Sequence, residues 1–178
     1  MPFKREESST IKDNREVVEI LKSKLEGKNI SSTAYDAVEV RQLDINSMLI
    51  TVVVVPTSIL NKMKKEKQAI IEKIEQAANG TVFIIRKRAV TEVEGRGEKK
   101  VLSSSVTYVD YQEAVASDLV APSHIVDRRT VVREDGSKIE KMIIDLKSKK
   151  DMTNRFEPMG EVFEHLFSRK AVFQANYY

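Results

Sequence analysis

MLITVVVVP, residues 48–56, decides the fold, because every residue from 48 to 55 except Thr51 is apolar. Apolar side chains on both faces of a strand predict a central place in a sheet. Pro56 ends this strand. A helix from Thr57 or Ser58 to Ala78 is expected next, with one buried stripe: Leu60, Met63, Ile70, Ile74 and Ala77. NGTVFIIRKRAV at 79–90 then opens a second apolar strand, and the order strand, helix, strand predicts a right-handed parallel crossover.

The remaining patterns extend this unit in both directions. Amphipathic spacing predicts an N-terminal surface helix over about Ile11–Glu26, a strand over Ala37–Leu43 and a helix over Ser104–Val120. Residues 91–101 form a charged loop in this interpretation. Asp135-Gly136 between TVVRE and SKIEKMIIDL indicates a β-hairpin. The chain should finish with a short helix from Pro158 and an edge strand over Lys170–Gln174.

These elements predict one α+β domain over residues 1–178. It should contain a mixed sheet of about five strands with packed helices, an N-terminal surface helix and a β-hairpin. Residues 1–10 are a candidate disordered segment. The longest apolar run is far too short to cross a bilayer, and the start of the chain does not resemble a signal peptide, so no membrane association is expected.

The residues that catalysis usually needs are scarce. The chain has no cysteine and two histidines, His124 and His165, and it lacks the HExxH, GxSxG and P-loop patterns. Gly95-Arg96-Gly97 would need a third glycine where Lys100 stands to form a dinucleotide loop. We therefore expect no catalytic residue, no metal site, no cofactor and no small-molecule substrate.

The basic residues are unevenly spread. Residues 51–100 hold 11 basic and 6 acidic residues, whereas the whole chain has a net charge of only +3. A local basic surface on a balanced body is typical of a protein that binds an anionic partner on one face. The candidate RNA-binding residues form two groups along the chain: Arg86, Lys87 and Arg88, then Arg128, Arg129 and Arg133.

Arginine suits this role because its planar fork grips a phosphate with two hydrogen bonds. No aromatic RNA-stacking motif is present, so the expected partner is folded RNA held through its backbone. An alternative remains open, in which Arg128, Arg129 and Arg133 simply pair with the carboxylates of Asp127, Glu134 or Glu140.

Two blocks of sequence resemble a known family, the eukaryote-specific small-subunit ribosomal protein seven family. They are VFIIRKRAV at 82–90 and DLVAPSHIVDRRTVVREDGSKIEKMIIDL at 118–146, and MLITVVVVP at 48–56 also fits. The likeness runs through nearly all the chain from about residue 11. One departure is the loop after the RKR strand, which the family usually has long and strongly basic. Here it is short, and three glutamates offset its cations.

The resemblance implies a structural component of the small ribosomal subunit that binds small-subunit ribosomal RNA and neighbouring ribosomal proteins. It also implies a part in maturation of that RNA, no enzyme activity and no cofactor. The expected location is the cytoplasmic ribosome, with passage through the nucleolus during assembly. The alternative function is a cytosolic protein-interaction adaptor whose basic face binds acidic partners.

Overall fold

The computed structural model describes residues 10–45, 48–63, 66–88, 91–95, 98–102, 108–145 and 153–175. The chain divides into two compact units, Met1–Lys87 and Arg88–Tyr178, and each contains a three-stranded mixed sheet with helices. The predicted α+β class is confirmed. That both units belong to one domain stays a prediction, and the candidate disordered segment at 1–10 lies almost wholly outside the described residues. None of the described helices is long and apolar enough to cross a membrane.

The sheet of the first unit is built around the stretch at 48–56. Its strands are β1 (Glu39–Ile45), β2 (Met48–Val55) and β3 (Thr81–Arg86), in the order β1-β2-β3. β2 pairs antiparallel with β1 and parallel with β3. Adjacent residues Val52 and Val53 are both buried, as expected of a strand covered on both faces. The central position and the parallel crossover are therefore confirmed.

Four helices of the first unit are described: α1 (Thr10–Lys24), α2 (Ser32–Asp36), α3 (Thr57–Met63) and α4 (Lys67–Ala78). The prediction of one helix from residue 57 to 78 was wrong, because Glu66, between α3 and α4, lies in a turn. Ala77, predicted to be buried, is exposed. The core instead gathers side chains of α1, α3 and α4 against one face of the sheet: Val17, Leu21, Ile59, Ile70, Ile74, Val53 and Ile84.

The turn from α4 into β3 depends on Asn79 and Gly80, which have different structural roles. Asn79 has a φ of 49° and ends the helix in the left-handed conformation. Gly80 is needed for space, because a Cβ added there would lie 2.3 Å from the backbone oxygen of Leu49. A side chain at position 80 would therefore push β3 away from the start of β2.

The second unit repeats this arrangement with other residues. Its sheet has the order β6 (His124–Val132), β7 (Lys138–Asp145) and β8 (Ala171–Ala175), with β6 antiparallel and β8 parallel to β7. The predicted hairpin and the predicted edge strand are confirmed. Helix α5 (Tyr108–Val120) precedes the sheet, and a 3₁₀ turn (Thr153–Arg155) leads into α6 (Phe156–Phe167) between β7 and β8.

One face of this second sheet carries the core. Phe163 of α6 contacts Phe173 of β8, with ring centroids 6.3 Å apart, and Met142 pairs with Phe173 in the register and is fully buried. Since side chains alternate across a strand, Val172 and Lys141 point to the opposite side of the sheet.

Residues 91–102 differ from the prediction of a charged loop. They form two antiparallel strands, β4 (Thr91–Gly95) and β5 (Glu98–Leu102), with Glu94 opposite Lys99. The described strands are thus divided between two three-stranded sheets and one ribbon, whereas the sequence predicted one sheet of about five strands. An alternating sequence pattern indicates a strand but does not show which other strand it pairs with. The number of separate sheets depends on that pairing, so the sequence pattern did not predict it.

Candidate functional site

The first basic group begins at the end of β3, where three cations follow one another. Arg86 is the last residue of the strand and is half-buried. The Lys87 amide donates to the Val55 carbonyl at 2.7 Å, and its Nζ donates to Glu39 Oε1 at 2.7 Å and to the Ala37 carbonyl at 3.2 Å. Lys87 therefore joins the chain after β3 to both β1 and β2.

Glu39 receives a second cation. Arg41 Nη2 lies 3.2 Å from Glu39 Oε2, so the carboxylate bridges Lys87 and Arg41. The hydrogen bond from Lys87 lowers the pKa of Glu39, with help from Arg41, against the opposing effect of partial burial.

Arg88 belongs to the second unit and is held by α5. Its Nη1 donates to Asp118 Oδ2 at 2.6 Å and its Nη2 donates to the Ala114 carbonyl at 3.2 Å. The two charged side chains are only 19% and 17% exposed. This ion pair fixes the residue after Lys87 to the helix, a role that the sequence did not reveal.

The second basic group centres on Glu140, one of the three carboxylates that the sequence offered as partners for its arginines. Glu140 of β7 is 6% exposed and accepts hydrogen bonds from two arginines. Arg128 of β6 donates from both Nε and Nη2 to Glu140 Oε2, and Arg169, just before β8, donates to Oε1 at 3.2 Å. Arg128 Nη1 also reaches Glu113 of α5 at 3.1 Å. Glu140 thus connects three neighbouring strands through two guanidinium groups.

Arg129 points the other way, since consecutive strand residues face opposite sides of a sheet. Its Nε donates to Asp127 Oδ2 at 2.6 Å, and the side chain is 68% exposed. Arg133 is exposed in the hairpin loop, where its amide and carbonyl bond to Ser137 and Gly136. Asp135 accepts from the Ser137 amide and hydroxyl; these hydrogen bonds lower the pKa of Asp135.

The structure therefore places the six predicted cations in three settings. Arg88 and Arg128 are largely enclosed in ion pairs, Arg86 is half-buried, and Lys87, Arg129 and Arg133 are exposed. The alternative of internal pairing is confirmed for Arg128 with Glu140 and for Arg129 with Asp127. That the two groups line one RNA-facing surface stays a prediction.

Sites of other kinds receive no support. Within the described part of the chain, no group of three or more histidine, aspartate or glutamate residues is placed to hold a metal ion. His124 and His165 are both exposed, and neither is part of a described ion pair.

Comparison with known proteins decides the family. The model of the family described as "Ribosomal protein S7e" matches residues 9–175, nearly the whole chain. The chain belongs to the ribosomal protein S7e family. The resemblance inferred from the sequence is thereby confirmed. An S7e protein is a structural component rather than an enzyme, so the prediction of no catalytic activity is confirmed too.

Individual relatives agree with this membership. The chain is 29% identical over 135 residues to small ribosomal subunit protein eS7 of Avicennia marina, covering 75% of this chain and 71% of the relative. It is 27% identical over 156 residues to small ribosomal subunit protein eS7z of Arabidopsis thaliana, covering 86% and 78%. It is also 27% identical over 142 residues to eS7 of Dictyostelium discoideum, covering 76% and 72%. Ribosomal RNA and ribosomal proteins are the partners that S7e membership implies.

Proposed function

We propose that this chain is a structural constituent of the small subunit of eukaryotic cytoplasmic ribosomes, where it binds small-subunit ribosomal RNA and neighbouring ribosomal proteins. The observation that carries the proposal is the S7e family match over residues 9–175. Passage through the nucleolus and support of RNA maturation during assembly belong to the same proposal.

Cosedimentation tests the proposal directly. Tagged full-length chain should travel with the small subunit through a sucrose gradient at moderate salt, and RNA sequencing of its fraction should recover small-subunit ribosomal RNA. A chain that stays among free proteins, with no ribosomal RNA beside it, would instead support the cytosolic adaptor.

The predicted RNA-binding residues contribute in two ways within this proposal. Lys87 and Arg133 present exposed cations that can reach phosphates, whereas Arg88 is bonded to α5 and Arg128 to β7 and α5. Arg86 is half-buried at the end of β3. Arg129 is exposed as well, but it is paired with Asp127 and lies on a face of the sheet that also carries Val131 and Ile143. RNA binding by the chain alone should be weak, because the net charge is only +3. Each phosphate contact adds about 0.7 to 0.9 to the slope of log affinity against log salt concentration.

Substitution of all three residues 86–88 by alanine is a poor test of RNA contact. It would remove the Arg88–Asp118 ion pair and destabilise α5 whether or not RNA is bound. Arg133→Glu is cleaner, because residue 133 is exposed in a loop; Lys73→Glu, at an exposed position on α4, is the matched control. Arg133→Glu should lower incorporation into subunits more than Lys73→Glu does, and equal incorporation would remove Arg133 from the RNA-binding set.

A further inference from the structure

The second sheet has one face that no described helix of its own unit covers. α6 packs on the side of Phe173 and Met142, and α5 lies on that side too, because Arg128, opposite Met142, reaches Glu113 of α5. The other side, called here the open face, presents Arg129 and Val131 of β6, Lys141 and Ile143 of β7, and Val172 and Gln174 of β8.

The open face contains aliphatic side chains that are exposed to solvent. Val172 is 44% exposed, Val131 is also exposed, and Ile143 lies half-buried between β6 and β8. Ile139, opposite Val131 on the same face, is buried. An exposed apolar patch with a polar margin is typical of a surface that contacts another protein. Phosphates gain nothing from valine and isoleucine, and the open face offers no aromatic ring on which a base could stack.

The charges of the open face are mainly positive. Arg129 and Lys141 are directly opposite each other in the register of β6 and β7. Lys170, one residue before β8, falls on the same side by alternation. The three cations stand against two carboxylates on this face, Asp127, which pairs with Arg129, and Asp145 at the end of β7. Like charges on opposed residues of adjacent strands destabilise a sheet, and an anionic partner relieves that repulsion.

We propose that the open face of the β6–β7–β8 sheet is the docking site for an acidic, amphipathic segment of a neighbouring ribosomal protein. Its aliphatic side chains cover Val131, Ile143 and Val172, and its carboxylates meet Arg129, Lys141 and Lys170. The proposal rests on the proposed function for the source of the partner, and it assigns Arg129 to a protein contact. Lys141 and Lys170 were not among the residues predicted from the sequence.

Site-specific crosslinking in intact small subunits tests this assignment. Full-length chains carry p-benzoylphenylalanine in place of Val172 or, separately, Val131. Val109, 52% exposed on α5, is the matched control position. Subunits are purified on a gradient, irradiated and analysed by mass spectrometry for crosslinked peptide and by primer extension for crosslinked RNA.

The expected result is a crosslink from Val172 and Val131 to one protein, at a peptide in which acidic residues outnumber basic ones. Lys141→Glu should reduce the Val172 crosslink about fivefold relative to Lys73→Glu, the ratio that corresponds to about 1 kcal/mol for one charge contact. Both charge variants must be compared at equal incorporation into subunits.

Three results at the open-face positions would overturn the proposal. They are crosslinks from the open face to ribosomal RNA, crosslinks to a basic peptide, and no crosslink from either position in subunits that contain the chain. An equal crosslink of Val109 to the same peptide would also refute it. Failure of the chain to enter subunits at all is a different outcome, because it contradicts the proposed function itself.

Discussion

Lys87 and Arg88 are consecutive residues with partners far away in the sequence. Lys87 bonds to Glu39, 48 residues earlier, and Arg88 to Asp118, 30 residues later. The sequence shows that residues 86–88 are basic, and the prediction of RNA binding rests on that charge. It cannot show which carboxylates the fold will bring to these cations, because those contacts depend on tertiary structure.

The Arg88–Asp118 ion pair should contribute measurably to stability. Arg88→Ala leaves a mostly enclosed carboxylate without its cation, so we expect a loss of about 1–3 kcal/mol in the free energy of unfolding. Arg129→Ala breaks a pair that is largely exposed and should cost less than about 1 kcal/mol. Urea denaturation of both variants and of Arg88→Ala/Asp118→Ala checks this, and strictly additive losses in the double variant would argue against direct coupling.

Gly80 should be more sensitive to substitution than Gly136. Gly80→Ala places a Cβ within 2.3 Å of the Leu49 backbone oxygen, so β3 or β2 must move. A loss of about 1–3 kcal/mol is expected from this overpacking. Gly136 has a φ of 78° with open space around it, and alanine there meets only backbone strain of about 1–2 kcal/mol. Both variants can be measured by thermal or urea unfolding. A smaller loss in the free energy of unfolding for Gly80→Ala than for Gly136→Ala would contradict the steric explanation.

Glu39 should make stability depend on pH on the acid side. Its pKa is lowered in the folded state by Lys87 and Arg41 from an ordinary value of 4.5. Its contribution is therefore complete above pH 4.5 and is lost as the pH falls through the lower folded-state pKa. Glu39→Gln should flatten this part of the stability curve, as measured by urea unfolding from pH 7 down to pH 3. A curve unchanged by the substitution would exclude Glu39 as a source of the effect.

Among the secondary-structure elements, those with strong local signals were predicted well. The apolar run of β2, the Asp-Gly hairpin between β6 and β7, and the amphipathic stripe of α6 each carry their own signature. The ribbon β4–β5 was missed because its strands are short and charged. The alternation of Thr91, Val93 and Gly95 with two glutamates, before the glycine-containing sequence at 95–97, was the available signal.

The break between α3 and α4 and the short helix α2 were also missed. α3 and α4 share a continuous amphipathic pattern, and such a pattern does not reveal where a helix is interrupted. α2 has only five residues, too few for periodicity to be recognised. In the candidate site, the six cations were found by type and position, and Glu140 was named as one of three possible partners. Glu39 and Arg169 were not found, because their importance lies in cross-strand and long-range contacts.

Glu140 connects the three strands of the second sheet, so its removal should loosen an element rather than a single contact. Glu140→Gln keeps the size of the side chain but leaves Arg128 without a carboxylate on β7, and we expect a loss of about 2–3 kcal/mol. Hydrogen exchange should quicken most in β6 and around Lys170, whose carbonyl accepts from the Glu140 amide. Unchanged protection of β6 would show that backbone pairing alone holds this edge. Glu134→Gln, in the exposed hairpin loop, is the matched control.

At the scale of the whole molecule, the two units share one order of elements. Each has a helix, an antiparallel pair of strands, a helical crossover and a third strand parallel to the middle one. The sequence shows no corresponding repeat, because each sheet satisfies the same pattern with different apolar residues. Topology can recur in this way since packing requires burial and volume rather than particular side chains.

The single-domain prediction has a direct test. Lys87 bonds within the first unit, and the next residue, Arg88, bonds within the second. We expect one unfolding transition. Gly80→Ala, in the first unit, and Glu140→Gln, in the second, should each lower the unfolding midpoint of both units, and the two units should keep the same midpoint. Tyr35 and Tyr108, followed by site-specific labels, report on the first and second units. Two separate midpoints would show two independently folding domains.

The ion-paired arginines also bear on selectivity. A guanidinium already held by a carboxylate must give up that bond before it can hold a phosphate, so Glu140, Glu113 and Asp118 act as built-in competitors of polyanions. Stray messenger or transfer RNA in the cytosol would then find little free positive charge on Arg88 and Arg128. Only an RNA surface whose shape supplies several contacts at once can outweigh the internal ion pairs. The carboxylates that stabilise the fold would therefore also keep the free protein from binding other RNAs.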